Sequence, residues 1–597
     1  MLTYLKKHWF VCLLVLIFAL GVFLRTYHFS DWLHFELDQA RDAKVVDLAV
    51  GQGIGNLPLL GPKAAGSFLR LGPIFYYFEY LGAKIFGNTP AGIAGINLLF
   101  SVLTPPLFYL FVRRYFNRKI SIALFFLFSV SLFLVMYSRF AWNPNSLPFF
   151  ILVTLYGLLR AVDVDEKRKG PWLVISAATL TVATQLHFVA FLAIPLIALI
   201  FLLIKQPRIK LIFWLASVLA VITLYIPSIV NDFKTGGDNI SEFVKVFTKK
   251  SSAGGNTLLE KAVRNYSESA NGFFLIVTSY QKAELPKLNQ VGSSFDVVCD
   301  RQCRENIYFG LVALLSFTAG ITLVVFGIVS HRKEPANARK DFIILAALWL
   351  GVSLVLFTPI AYDFAPRFFL IVAGLPFIFL GLMLQFMEKT ISNKKIFISF
   401  FFIVMMMLAI SNLKAVKNRF FEMSQSSSQN FEIETDRILK EHNRVTAGQQ
   451  KDIAVYMKNI YQENNYLVYV NSEAFYRRSL LYFLEQQDVP RDDFRNSQLD
   501  QKVYRKGNYF LVYPTSSNLE SKVGKYLENY QIAEQRPFGT LTVIRLVPKE
   551  AAINADEQKI EPAGKPRSAS GVPVRCRWNE IFAQCNPDEP LEEGEGN

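Results

Sequence analysis

Chemistry is first suggested by the run Glu36-Leu37-Asp38-Gln39-Ala40-Arg41-Asp42. On a helix Asp38 and Asp42 share a face, and Arg41 lies three residues from Asp38. A carboxylate held this way suits a general base acting on a hydroxyl. The competing reading is an interfacial amphipathic helix with solvated charges. Arg70-Leu71-Gly72-Pro73 follows, then Phe75, Tyr76, Tyr77 and Tyr80. Arg70 suits a phosphate, or it snorkels to headgroups. In Tyr137-Ser138-Arg139-Phe140-Ala141-Trp142-Asn143-Pro144-Asn145, the amides Asn143 and Asn145 suit sugar hydroxyls and Trp142 offers a stacking face. An aromatic-belt turn before the next helix would look the same. Gln185 and His187 suit sugar or phosphate contacts, or a hydrogen-bonded structural role. Tyr362-Asp363-Phe364-Ala365-Pro366-Arg367 brings one more guanidinium, suited to a lipid phosphate or to a local pair with Asp363. Glu36, Arg41, Asp42, Tyr76 and Tyr362 complete the candidate sugar and acceptor contacts.

Something must hold these groups at one depth. The chain has 597 residues, 52% hydrophobic and only 19% charged, against about 25% charged in soluble domains. Its apolar residues fall in blocks. Disorder, collagen-like repeats and a disulfide-dense mini-protein are excluded, and a polytopic membrane protein remains. A spanning helix needs about 20 mostly apolar residues. Eleven segments qualify: 9–25, 90–112, 120–137, 146–161, 171–186, 188–204, 211–230, 306–330, 342–358, 368–387 and 396–412. The first is also compatible with a signal peptide ending near Ala19-Leu20-Gly21, a reading that the many later spans disfavour. Residues 172–204 are too long an apolar run for one crossing, so two helices should meet at Gln185–His187.

With an inner N-terminus, 20 Lys and Arg fall in the inner connections and only Arg139 and Arg367 in the short outer loops. That asymmetry orients the chain in the plasma membrane. It also accounts for most of the net charge of +15 and leaves no clustered nucleic-acid footprint. Every candidate above then lies on the outer side, where the layout suits an anionic lipid-linked substrate meeting a polar acceptor. Residues 1–412 form the membrane domain, with outer loops about 26–89 and 231–305. Residues 413–548 read as a small outer α/β domain, with strands at Tyr466–Val470, Tyr509–Tyr513 and Leu541–Val547 and helices near 431–461, 472–486 and 517–529. Residues 549–597 read as a disordered tail. Cys299 with Cys303, and Cys576 with Cys585, suit disulfides on an oxidising side. Free thiols stay open, and a zinc site is disfavoured because no His lies close in sequence. No nucleotide-binding or hydrolase motif is present.

In their order and common face these motifs resemble the GT-C superfamily of membrane glycosyltransferases. The likeness is to bacterial relatives of dolichyl-phosphate-mannose protein mannosyltransferases and of aminoarabinose transferases. It rests on Glu36 to Asp42, Gly72-Pro73-x-x-Tyr76-Tyr77, Arg139 with Asn143-Pro144-Asn145, Gln185-Leu186-His187 and Arg367, within 1–412. It implies inverting transfer of one sugar from a polyprenyl-phosphate donor to a hydroxyl of a glycan, lipid or protein. Asp38 would be the base, and Arg70, Arg139 and Arg367 would stabilise the leaving phosphate. Two departures stand out. Asp38 is followed by Gln39 where the family often has Glu, and Leu71-Gly72 precedes Pro73 where Lys or His is common. No cofactor is implied and no metal ligand is named, although divalent-metal use stays open. Two other readings compete: a lipid-glycan transporter, and a scaffold with a glycan-binding outer domain. Transporters tend to show repeated halves and midplane charges, which are absent here.

Overall fold

The computed structural model describes residues 2–64, 67–248, 257–291, 294–335, 337–494, 502–557 and 575–585. Each apolar block is helical. The blocks form Leu2–Thr26, Gly95–Val112, Arg118–Val130 with Leu132–Tyr137, Leu147–Val162, Lys169–Leu186, Phe188–Lys205, Leu211–Thr235, Arg301–Ser330, Ala338–Phe357, Pro366–Val372 with Leu375–Thr390, and Lys394–Gln425. Leu211, Leu215, Val218 and Leu219 are exposed along one of these helices. Such a surface is stable against lipid tails and not against water. The chain is a multi-pass membrane protein with a small sheet-containing C-terminal region.

Eight described helices are long and apolar enough to span, or nine if the pair Pro366–Val372 and Leu375–Thr390, bent by 57°, counts as one. This is fewer than the eleven expected. The segment 120–137 is interrupted at Ser131, whose hydroxyl donates to the Ile276 carbonyl at 2.7 Å. Lys169–Leu186 carries Ser176, Thr179, Thr181, Thr184 and Gln185 and is outside the apolar set. The expected break in 172–204 is present: His187 is extended (φ −160°, ψ 136°) between two helices.

The bundle has two unlike ends. At one, charged connections interlock: Arg114 pairs with Asp163, Lys205 with Asp341, and Asn117 Nδ2 donates to Glu388 at 2.8 Å. The other end carries the first long loop and the sheet domain. The 32-residue helix Lys394–Gln425 is about 48 Å long at 1.5 Å per residue. It therefore outruns a ~30 Å hydrocarbon core and continues past the expected end at 412 into the domain. There the five strands run in the order Arg491–Asp493, Leu467–Ser472, Gly507–Pro514, Leu541–Pro548, Tyr530–Phe538. The first three are mutually parallel and the last two antiparallel to their neighbours. Ile453, Met457, Leu480 and Leu484 from two helices cover Val468, Val470, Phe510 and Val543.

Two expectations need correction. Residues 431–446 are irregular, and the helix starts only at Ala447, capped by Thr446. The irregular stretch instead supplies a buried ion cluster. Arg419 meets Asp436 at 2.9 Å and Glu441 at 3.0 Å, and Arg444 meets Asp436 at 2.7 Å, Glu441 at 2.6 Å and Glu422 at 2.8 Å. Buried charges persist only when paired, and breaking one such pair costs about 3–5 kcal/mol. The second concerns the tail. Residues 549–557 follow the last strand in an ordered path, and 575–585 return to the first loop, closed by a Cys576–Cys585 disulfide. The remainder of 549–597 is outside the described residues. Cys299 and Cys303 are also disulfide-bonded.

Candidate functional site

The first loop folds as expected around its acidic run. Glu36 is the N-cap of Leu37–Gln52, and its backbone N–H donates to Gln39 Oε1 at 3.2 Å. Gln and Glu serve equally at this capping position, so the Gln39 departure costs the helix nothing. Asp38 sits in the first turn, where the helix dipole favours a negative charge. Its Oδ1 accepts from Arg41 at 3.0 Å, its Oδ2 accepts from Trp142 Nε1 at 3.2 Å, and its side chain is 38% exposed. Asp42 on the same face is only 1% exposed. It accepts from Arg41 Nε at 2.9 Å and from the Tyr76 hydroxyl at 3.0 Å. Burial raises the Asp42 carboxyl, and Arg41 opposes that. Arg41 thus ties the two acids together. Asp38 is the one open to a ligand, and Asp42 buttresses it.

Trp142 joins this pair to the late arginine. Its indole N–H holds Asp38, and its ring lies 5.1 Å from the Arg367 guanidinium, which is also 5.5 Å from Phe368. Among the described residues Arg367 has no ion pair, and the alternative pair with Asp363 does not form. Asp38 and Arg367, more than 300 residues apart, therefore occupy one site.

Other candidates have different work. Arg139 is not at this site. It is 2% exposed, and its two terminal nitrogens donate to the carbonyls of Leu24, Arg25, Tyr27 and His28 at 3.2, 3.1, 2.7 and 3.3 Å. It caps the end of Leu2–Thr26, whose last carbonyls lack helical partners. Asn143 Nδ2 holds Leu186 O at 2.8 Å, and Asn145 Nδ2 holds Phe140 O at 2.9 Å. Both amides shape turns. The His187 ring accepts from Val189 N at 3.2 Å and packs 5.3 Å from Phe368. Gln185 donates to Leu224 O at 3.0 Å under Gly72, where an added Cβ would come within 2.3 Å of its Oε1. The Gly72-Pro73 and Gln185 motifs thus touch, and Gly72 is required by that approach.

The main chain of Arg70 is clamped by Asn239, at 2.8 and 3.1 Å. Arg70 is among the residues that line an apolar cavity of about 660 Å³ with Phe188, Phe191, Tyr225 and Ile229, and its guanidinium donates to Gly61 O at 3.4 Å. Tyr362 is elsewhere, 5.9 Å from Arg264 beside a polar cavity of about 340 Å³.

Sequence reasoning missed two features. In the first, His34 Nδ1 bonds Glu441 at 2.9 Å and lies 3.7 Å from Glu36. These three groups have metal-ligand types within 4.8 Å of one another. Arg419 and Arg444 already neutralise Glu441, however, so the set works as an ion cluster. Burial opposes a charge on His34, but Glu36 and Glu441 outweigh it and raise the ring to about 9. Burial likewise raises Glu36 to about 7, with His34 opposing. A raised histidine stabilises the fold fully below its unfolded value near 6.5 and loses that stabilisation as pH climbs through about 9. His34→Gln is therefore expected to lower stability near neutral pH and to flatten its decline between pH 7 and 9.5. Melting curves across that range check it, and parallel curves for variant and wild type would refute it.

The second missed feature is the disulfide-closed segment 575–585. Cys576 O accepts from Leu59 N at 2.8 Å, Cys576 N donates to Asn231 Oδ1 at 2.9 Å, and Trp578 Nε1 donates to the Tyr77 hydroxyl at 2.9 Å. Arg575 NH1 donates to the Tyr76 hydroxyl at 3.4 Å.

Residues 71–230 match the family model of dolichyl-phosphate-mannose-protein mannosyltransferases. That segment holds Tyr76, Trp142 and the Gln185–His187 hairpin, and it bears out the likeness to GT-C membrane glycosyltransferases read from the motifs. A 114-residue stretch is 33% identical to an uncharacterized protein of Aquifex aeolicus (strain VF5), covering 19% of this chain and 23% of that protein. The chain thus matches only about a quarter of that relative's length. In fold the chain is similar to ArnT from Cupriavidus metallidurans. The apo form gives TM-score 0.48 at 12% identity, over 90% of this chain and 98% of that one. The form bound to undecaprenyl phosphate gives 0.49 at 12%, over 92% and 100%. Arabinofuranosyltransferase AftD from mycobacteria gives 0.38 at 12%, over 95% and 42%. With identities of 12% and TM-scores below 0.5, none of these likenesses bears on activity.

Proposed function

We propose that the protein transfers a sugar from a polyprenyl-phosphate donor to an acceptor hydroxyl, with inversion, on the outer face of the plasma membrane. Asp38 takes the hydroxyl proton. The freed oxygen attacks the anomeric carbon from the side opposite the phosphate, the bond from that carbon to the phosphate oxygen breaks, and its electron pair stays on the phosphate. Arg367 stabilises the charge that develops there, and the leaving group needs no nucleotide. The single observation that carries this reading is the Trp142 indole, which binds Asp38 on its edge and Arg367 on its face. The apolar cavity beside Arg70 suits the first part of a polyprenyl chain, and binding the tail there would orient the donor. The outer placement rests on the Lys/Arg asymmetry of the connections.

Loss of the gene is expected to cause one polyprenyl-phosphate sugar to accumulate, seen by mass spectrometry of extracted lipids. Re-expression should clear it. An unchanged lipid-linked sugar pool would count against transfer from such a donor.

A further inference from the structure

The disulfide-closed segment 575–585 is docked on the elements that build the site. Besides the bonds already given, Trp578 N donates to Leu57 O at 3.2 Å, Asn579 Nδ2 to Asn56 Oδ1 at 3.1 Å, and Lys234 Nζ to Ala583 O at 3.0 Å. Pro58 and Arg577 form a β-bridge. The segment thereby grips the loop after the first-loop helix, the helix Ile74–Phe86 and the end of Leu211–Thr235. The last of these also lines the apolar cavity beside Arg70. Cys576 is completely buried, so one end of the disulfide is anchored in this joint. Closing the chain between Cys576 and Cys585 removes freedom that such a short stretch would otherwise keep.

The docking delivers Arg575 to one particular place. Its guanidinium lies 5.6 Å from the Tyr76 ring, besides donating to the hydroxyl. That hydroxyl is bonded to Asp42, Asp42 to Arg41, and Arg41 to Asp38. Burial and Asp42 push the Tyr76 phenol up, while Arg575, Arg41 and Arg70 all pull it down. A guanidinium from the far end of the chain thus reaches the phenol that Asp42 and Arg41 tie to the base. Glu79, one turn further along the Tyr76 helix, is fully buried, and burial holds its carboxyl well above the usual range.

We propose that the segment 575–585 is a clip that completes the site, and that Arg575 binds the phosphate of the lipid-linked donor. This rests on the donor reading above and deepens it. Guanidinium is suited to the role because it pairs with phosphate oxygens in fixed planar geometry. The disulfide is then a structural requirement for donor binding, with no redox step in the reaction.

The test titrates a polyprenyl monophosphate into the purified full-length protein in detergent and reads affinity and melting temperature together. Arg575→Gln removes the charge and ends two bonds short of the nitrogen that meets Tyr76. It should melt like wild type without ligand and bind the lipid phosphate about tenfold or more weakly, the loss of one charge-assisted hydrogen bond. The pair Cys576→Ser and Cys585→Ser should weaken binding similarly, and adding Arg575→Gln to it should cost little more. Wild-type affinity in Arg575→Gln would overturn the proposal. If Arg367→Ala still weakens binding in that case, the donor reading survives and only the clip's role fails. If wild type itself shows no affinity for the lipid phosphate, both fall.

Discussion

Asp38→Asn is expected to abolish sugar transfer while leaving insertion, melting temperature and donor binding intact. Asparagine has the same shape and one accepting oxygen, so it keeps either the Arg41 or the Trp142 bond and leaves the other donor to water at this partly exposed position. What it lacks is the ability to take a proton from an acceptor hydroxyl. Losing a general base of this kind costs about 10²–10⁴-fold in rate. The 38% exposure of Asp38 is why it, and not Asp42, is the test. Asp42 is enclosed by Arg41 and Tyr76 and has no route to a substrate. The rate should fall at saturating donor and saturating acceptor alike. Turnover within a few-fold of wild type would remove Asp38 as the base. A variant that no longer binds donor would instead make its contact with Arg41 part of the binding site.

The legible parts of this molecule are those set by local pattern. Apolar blocks gave the helices, and the polar pair in a run too long for one crossing gave the bend at His187. The alternation of β-formers gave three strands of the domain, and the four cysteines outside the first helix, close together in two pairs, pointed to the two disulfides. The acidic run was legible because its spacing alone puts Asp38, Arg41 and Asp42 together. What escaped was set by partners far along the chain. His34 and Glu441 are 407 residues apart, and nothing near either one announces the pairing. The charges of 431–446 follow a helical pattern, yet Asp436 and Glu441 are claimed by Arg419 on another helix, which holds the stretch irregular. In the tail, a Pro-, Glu- and Gly-rich average hid a short segment whose order comes from docking and a disulfide. Gln185 and the amides at 143 and 145 look like sugar ligands by type. Buried turns need the same donors for their carbonyls, and that need is invisible until the turns are drawn.

The same ambiguity makes Arg139 and Arg367 the sharpest pair to separate. Arg367→Ala is expected to fold normally and to slow transfer about 10²–10³-fold, the usual cost of removing one donor to a developing oxyanion. Among the described residues its guanidinium is held by ring faces, Trp142 and Phe368, so its loss strands no buried acceptor there. Arg139→Ala is expected to do the opposite. The carbonyls of Leu24 and Arg25 in the last turn of Leu2–Thr26, and of Tyr27 just beyond it, would lose their donor, while His28 O keeps Trp32 N at 3.0 Å. Each buried unsatisfied group costs about 1–3 kcal/mol, against a total stability of roughly 5–15 kcal/mol. The variant should therefore accumulate poorly and melt early, and whatever folds should keep donor affinity. Membrane yield, melting temperature and specific activity per folded molecule separate the two cases. A well-folded Arg139→Ala protein with lost activity would return that arginine to the phosphate. An unstable Arg367→Ala protein would take Arg367 away from it, and with it the physical basis for pairing a base with a phosphate cation across one indole.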